Sequence, residues 1–389
     1  MKVYINLQQH VGVMCKPVVY KGQHIKRGEV VAEPNGLGAI IHSSIAGTVV
    51  EITNDQIIVE GTMQHFDDYV KIPETEDKLE MIRLAGIVGS GGAGFPTHVK
   101  YSNKIPGGFV IANGVECEPL LEHNVLFMEN HADIIVLGLL HLLDITGAEK
   151  AYIAIKEKHE KAVMALREVC KNQPNIDVKF VSNMYPAGDE RVIVRELLGV
   201  TLAPGELPIV ANAIISNVET IKRIVEAIEY RKPYIDKDFT VAGRVKESNV
   251  YLDQPIGTSV GDYLKESGGY IHPHGEIIIG GPFTGKSGSE QSVITKTTGG
   301  ILVAMPFPQE NGRRIGLLVC ECGADEDRLK TIAHEMDAKV VAIENCKRMV
   351  EHNGRLRCDL PGICPGQAEK ILSMKKAGME TILTSSCQA

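Results

Sequence analysis

Two groups of residues have the types and spacing to do chemistry. The first is the run Gly86-Ile87-Val88-Gly89-Ser90-Gly91-Gly92-Ala93-Gly94-Phe95-Pro96-Thr97. Residues without a Cβ let backbone N–H groups come close to an anion, and a nest of such amides binds phosphate without any charged side chain. Gly89, Gly91 and Gly94 satisfy the spacing of a dinucleotide fingerprint. That fingerprint needs a strand before it and a helix after it. Here 77–84 reads as helix and Pro96 closes the loop early, so the spacing alone is a weak signal, and an ordinary flexible loop is the bland alternative.

The second group is made of thiols. Nine cysteines are an odd number for a disulfide framework and read more readily as metal or redox groups. Cys15, Cys117 and Cys170 are scattered, whereas Cys320, Cys322, Cys346, Cys358, Cys364 and Cys387 crowd the last seventy or so positions. Soft iron needs electron-rich thiolate ligands, four to a cluster, so six cysteines suffice for one iron–sulfur cluster and a redox pair. Two other readings stay open. Structural zinc usually shows paired Cys-x-x-Cys knuckles, which are missing here. A thiol–disulfide relay through Cys358 and Cys364, or through Cys387, needs only exposed loop cysteines.

The elements that must position these residues fall into four segments. Residues 1–75 read as short strands between Gly turns, at 18–20, 29–31, 48–52 and 56–59. Residues 76–232 alternate strand and helix patterns: apolar runs at 108–112, 151–155 and 178–181 read as buried parallel strands, with helices at 133–143 and 159–170 between them. Residues 233–312 return to short strands around a helical piece at 260–267. Residues 313–389 repeat a strand–helix rhythm, which places the cysteines at strand ends and in a connecting loop. The expected fold class is therefore a multidomain α/β chain.

Composition bounds the function classes. The chain has 389 residues, 44% hydrophobic and 23% charged, close to globular averages. A net charge of -8 argues against nucleic acid as the main partner. The most apolar stretch, 134–143, is interrupted by His141 and too short to span a bilayer as a helix. No apolar leader is visible at the start, so a cytoplasmic location is expected, with any membrane contact made through a partner.

Several motifs carry a family resemblance. Gly89 to Thr97 resembles the flavin-binding loop of the diaphorase subunit of respiratory complex I and of RnfC-type electron-transfer proteins. Asn113-Gly114-Val115-Glu116-Cys117-Glu118-Pro119 is similar to the family's second cofactor segment, Tyr185-Pro186-Ala187-Gly188-Asp189-Glu190 to a third, and Asn217-Val218-Glu219-Thr220 to a fourth. Read alone, Glu116 and Glu118 are solvated loop carboxylates, Cys117 a small buried hydrophobe and Tyr185-Pro186 a turn; the shared order favours the family reading.

The resemblance implies an N-terminal barrel-sandwich hybrid, a Rossmann-like body that holds FMN and takes a hydride from NADH, and a β-grasp domain after it. The carrier lysine of related barrel-sandwich modules is replaced by Asn35-Gly36-Leu37-Gly38, which implies a docking or structural role. Residue by residue, Gly89, Gly91, Gly92, Gly94 and Phe95 should line the flavin phosphate and nicotinamide face, with Lys100 near the phosphate. Asn113, Glu116 and Glu118 should lie along the ring and ribityl side, and Asn217 and Thr220 at the far wall. Ser90 stands where the complex I diaphorase has Arg.

RnfC proteins carry ferredoxin-type cysteine runs that this chain lacks, and its own cysteines loosely resemble the cluster-binding N-terminal module found in heterodisulfide reductases. Within the RnfC-like family the nearest likeness is to the electron-transfer proteins associated with D-proline reductase, the PrdC group. That implies a reductase partner, an NADH-to-FMN-to-cysteine electron route and one iron–sulfur cluster. The rival expectation is a non-catalytic adaptor that has kept the fold, with Ser90 marking a degraded site. A homo-oligomer is left open.

Overall fold

The computed structural model describes residues 1–62 and 67–385. Cys387 lies outside them. The N-terminal unit is two small antiparallel sheets. One runs Lys2–Asn6, Gln56–Thr62, Ala46–Ile52, His24–Ile25 in spatial order, the other Lys16–Pro17, Val30–Glu33, Ile41–His42. Alternate residues of the long strands, Val3, Ile5, Val49, Ile57 and Val59, fill its core with Val31 and Ile41. The strand expected at 18–20 is not formed. The amide of Val18 bonds to Val31, but that of Tyr20 is taken by the Gln23 side chain, and the chain turns.

The second unit is a four-stranded parallel sheet in the order Ile176–Val181, Lys150–Lys156, Phe109–Asn113, Ala213–Asn217. The helix Ala132–Thr146 buries Ile135, Val136, Leu139, Leu142 and Ile145, a helical spacing that gives it one apolar stripe against the sheet. Val218–Tyr230 follows its strand directly, with Asn217 accepting from the amide of Glu219 as the N-cap. In the register of Phe109–Asn113 with the edge strand Ala213–Asn217, Asn113 stands beside Asn217, at the carboxyl ends where open α/β sheets bind ligands.

A mixed five-stranded sheet follows, ordered Asn249–Pro255, Asp236–Gly243, Gly300–Val303, Ile277–Ile279, Lys286–Gly288 and backed by the helix Val260–Glu266. The last unit pairs Lys339–Asn345, Arg314–Val319 and Thr381–Thr384 in parallel and adds the hairpin Met349–His352/Arg355–Cys358. Among the described residues no single helix is long and apolar enough to cross a membrane.

Buried charge ties the first three units together. Arg27 pairs with Asp236 at 2.6 Å. Arg223, on the helix behind the parallel sheet, meets Glu219, Glu226, Asp238 and Asp253 at 2.7–3.2 Å, and Lys222 meets Asp238 at 2.8 Å. Despite full burial the four carboxylates hold Arg223 well above its ordinary pKa, and the Arg223 and Lys222 cations hold Asp238 low. Lys296, also fully buried, donates to the carbonyls of Ile40 (2.8 Å) and Gly86 (2.7 Å), stitching the barrel-sandwich unit to the start of the glycine loop.

Candidate flavin site and its thiol neighbour

The glycine run folds as a closed loop. Val88 bridges to Pro96, the amide of Gly89 bonds to Phe95 at 3.0 Å and that of Thr97 to Ile87 at 3.0 Å. Its base is fixed through Ser90, which is 1% exposed. The Ser90 amide donates to Thr220 Oγ1 at 3.0 Å, and its hydroxyl meets the Tyr234 hydroxyl at 2.8 Å, which in turn donates to the Lys296 carbonyl. Ser90 is thus a structural anchor of the loop.

Above the loop lies a cavity of about 670 Å³, in the range of cofactor sites. Its walls come from the loop (Gly91, Gly92), the carboxyl edge of the sheet (Asn113, Glu116, Glu118, Asn217) and the following unit (Lys286, Thr295, Thr297, Thr298). Gly89, Gly94, Phe95, Lys100 and Thr220 do not line it. Gly89, Gly94 and Phe95 close the loop, Thr220 braces Ser90 from behind, and Lys100 pairs with Glu190 at 2.8 Å. Lys286 and the threonines escape sequence reasoning, although Thr295-Lys296-Thr297-Thr298 is a visible hydroxyl-rich run. They stand almost two hundred residues from the loop and meet it only through the fold. Two roomier clefts do not include the glycine loop: one of about 780 Å³ lies mainly along the barrel-sandwich unit, and one of about 1230 Å³ lies between it and the mixed-sheet unit.

Glu116 and Glu118 differ in role. Glu116 has φ +32, a conformation costly for a residue with a side chain, and is held by Asn124 at 2.8 Å. Burial pushes its carboxyl up to about 7. Glu118 accepts from the Phe283 amide (2.9 Å) and the Thr284 hydroxyl (2.6 Å), so it closes the pocket against the mixed-sheet unit. That contact is close enough that a Cβ on Gly281 would fall 2.2 Å from a Glu118 oxygen. Cys117 faces the cavity between them. Burial raises its thiol to about 11, so it is no nucleophile.

The cysteine unit is seated on this body. Tyr185 donates to the Cys322 carbonyl at 2.5 Å, Arg191 to the Cys358 carbonyl at 2.7 Å and Arg195 to the Pro361 carbonyl at 2.8 Å. The Tyr185 ring packs on Phe283, centroids 4.5 Å apart, beside the Glu118 latch. Cys320 and Cys346 follow the paired strand ends Val319 and Asn345, and Cys358 pairs with Met349 in the hairpin. The thiol of Cys320 contacts those of Cys322 and Cys346, and Cys322 contacts Cys358. Cys364 is exposed, and none of the eight described cysteines is in a disulfide. Among the described residues no three His, Cys, Asp or Glu side chains already converge as ligands around one point; the thiols form a chain of neighbours instead.

Comparison with known proteins agrees with this layout. Residues 82–226 match the Nuo51 FMN-binding domain and residues 1–70 the RnfC barrel sandwich hybrid domain. The C subunit of the proton-translocating ferredoxin:NAD+ oxidoreductase complex of Clostridium ljungdahlii is 32% identical, over 82% of this chain and 74% of that one. The chain belongs to the RnfC-like family. The C subunit of the Na+-translocating complex of Acetobacterium woodii is 30% identical, over 77% and 72% of the two chains. Cobalamin reductase PduS of Salmonella typhimurium is 36% identical over 58% of this chain, which spans about half (49%) of that protein. An NAD+-reducing [NiFe]-hydrogenase chain shares the fold at a TM-score of 0.51 with 20% identity, covering 60% of this chain and 48% of that one.

The residues of the cavity fit FMN. A Cβ on Gly91 would stand 2.7 Å from Asn217 Nδ2, whereas one on Gly92 would meet nothing within 4 Å, so the loop is a cradle with open space above it. Amides, Lys286 and three threonine hydroxyls offer donors for a phosphate, and Asn113, Asn124 and Glu116 offer polar edges for a ring.

Proposed function

We propose that this chain is an NADH-oxidising flavoprotein of the RnfC-like family, which holds FMN in the 670 Å³ cavity and delivers electrons through its cysteine unit to a partner reductase. The single observation that carries this reading is the joint wall of Gly91, Gly92, Asn113, Glu116, Glu118 and Asn217, drawn from three separate family motifs. When bound, FMN supplies the chemistry that links a two-electron hydride donor to one-electron acceptors. The protein's part is to bind and orient. The loop amides and Lys286 hold the phosphate end. Asn113, whose side chain is fixed by donating to the Gly188 carbonyl at 3.0 Å, and Glu116 hold the ring edge. Below about pH 7 the buried Glu116 carboxyl keeps its proton and can donate to a ring or carboxamide oxygen.

NADH reaches the ring from the cavity mouth, and the latch of Glu118 on Phe283 and Thr284 limits water there. The mixed-sheet unit plays the β-grasp docking role. The acceptor, by the resemblance to the PrdC group, is D-proline reductase. The adaptor reading rests on Ser90; as Ser90 anchors the loop and Lys286 brings a cation, the site keeps what FMN binding requires. The test is NADH oxidation with a one-electron dye as acceptor, with and without added FMN. FMN-dependent turnover supports the proposal, and no turnover by protein saturated with FMN overturns it.

A further inference from the structure

One wall residue of the flavin cavity belongs to none of the motifs above. His123 opens the helix His123–Asn130, lines the cavity and is 3% exposed. Its ring is fixed from behind by Thr240, on the mixed-sheet strand Asp236–Gly243. Thr240 Oγ1 accepts from the amides of Glu122 (3.0 Å) and His123 (3.2 Å) and lies 3.2 Å from His123 Nδ1. A hydroxyl has two lone pairs and one proton. With both lone pairs taken by amides, its proton goes to Nδ1, so Nδ1 is an acceptor and the ring proton sits on Nε2. Among the described residues Nε2 has no hydrogen-bond partner, and the small part of the ring left accessible includes it. Gly299, another wall residue, stands before the ring, where a Cβ would lie 3.8 Å from His123 Cε1. The ring therefore presents a single N–H to the cavity.

Charge narrows what that N–H can meet. Burial, with the Lys237 and Lys222 ammoniums outweighing the Asp238 carboxylate, pushes the imidazole down to about 3, so it stays neutral at working pH. A neutral donor suits an uncharged carbonyl, whereas a phosphate is best met by a cation. The cavity's cation is Lys286. In the mixed sheet Thr240 pairs with Gly300, Ile301 with Ile279 and Ile279 with Lys286, which puts Thr240 three strands, about 14 Å, from Lys286. His123 instead adjoins Asn124, which holds Glu116. We infer that His123 Nε2–H binds a carbonyl oxygen on the pyrimidine edge of the flavin ring, at the end of the cavity away from the phosphate. The inference rests on the flavin reading proposed above and deepens it. That edge gains negative charge when the ring is reduced, so a donor there favours the reduced form and raises the flavin potential.

The test compares the full chain with His123→Gln, whose amide nitrogen can take the place of Nε2, and His123→Phe, which fills the space without a donor. Binding of FMN and of riboflavin, which has the ring but no phosphate, is followed by flavin fluorescence, and the midpoint potential of the bound flavin is measured. The expected result is that His123→Phe weakens both flavins by about tenfold and lowers the potential, while His123→Gln stays within about twofold. Because the donor is neutral, the loss should be the same at about pH 6 and about pH 8. Histidine-selective nitrogen NMR of the unaltered chain should show the Nε2-protonated ring before flavin is added and a shift of that signal with riboflavin. Weakening of FMN with riboflavin unchanged, full binding of both by His123→Phe, or an Nδ1-protonated ring overturns the inference and leaves the flavin reading standing. An unaltered chain that binds neither flavin overturns both. Should His123→Phe fail to fold, the tautomer and the riboflavin-induced shift decide.

Discussion

The Tyr185 hydroxyl donates to the Cys322 carbonyl at 2.5 Å while its ring lies against Phe283, whose amide holds Glu118 of the cavity wall, so one side chain touches both the thiol unit and the residue that latches the cavity. Tyr185, Arg191 and Arg195, from a single stretch of the body, together fix the seat of the cysteine unit, as the proposed electron route requires.

Arg191→Ala removes the bonds to Cys358 and Glu321, and both partners lose a charge-assisted contact. The expected cost is about 1–3 kcal/mol at the seam. Limited proteolysis in the 306–313 connection should accelerate, while FMN affinity stays within about twofold, a range too small to reflect a lost direct contact.

Gly91→Ala tests the cradle, because its Cβ would meet Asn217 at 2.7 Å and displace the helix cap that also faces the cavity. FMN affinity, followed by flavin fluorescence, should fall by about tenfold or more, equal to about 1.4 kcal/mol. Gly281→Ala should act from the opposite wall by forcing Glu118 off Phe283 and Thr284.

Glu116 gives the site a pH dependence. Its carboxyl is raised from an ordinary 4.5 to about 7 by burial, so the folded state holds a proton the unfolded chain has released. Stability from this group is fully present below about pH 4.5 and is lost as pH rises to about 7, at up to about 1.4 kcal/mol per unit. Above that the ionised carboxylate faces an anionic ligand. NADH affinity should weaken as pH passes about 7 in the unaltered protein and stay flat in Glu116→Gln, measured as KM across pH 6–8.

Arg223 is surrounded by four carboxylates and is 1% exposed, so Arg223→Met strands negative charge in the interior. Breaking a buried pair from one side costs about 3–5 kcal/mol. Urea unfolding should show that loss. Because Glu219 lines the cavity and is one of the four partners, FMN affinity should drop with it.

Local signals are legible in the sequence where one element supplies them. The glycine loop, the helix at 78–84 capped by Asp77 and the apolar stripe of 132–146 all follow from spacing within a few turns of chain. Asn113 and Asn217 read as separate motifs, and only strand register shows them side by side. Lys100 illustrates the limit: a cation near a phosphate loop in sequence turns out to pair with Glu190, while Lys286, which faces the cavity, comes from a different unit. The same holds for the cysteines. Clustering in sequence marks six, and only the parallel pairing of two strands with one hairpin shows which four make contact. The buried charge network is invisible in the sequence, since a lone Arg223 or Asp238 reads as a solvated surface residue.

The most direct test of the central claim is an anaerobic visible spectrum of the FMN-loaded chain before and after NADH. An NADH-oxidising flavoprotein predicts a flavin band that bleaches on addition of NADH. A chain that takes up no FMN, or whose flavin band NADH leaves unchanged, would contradict it.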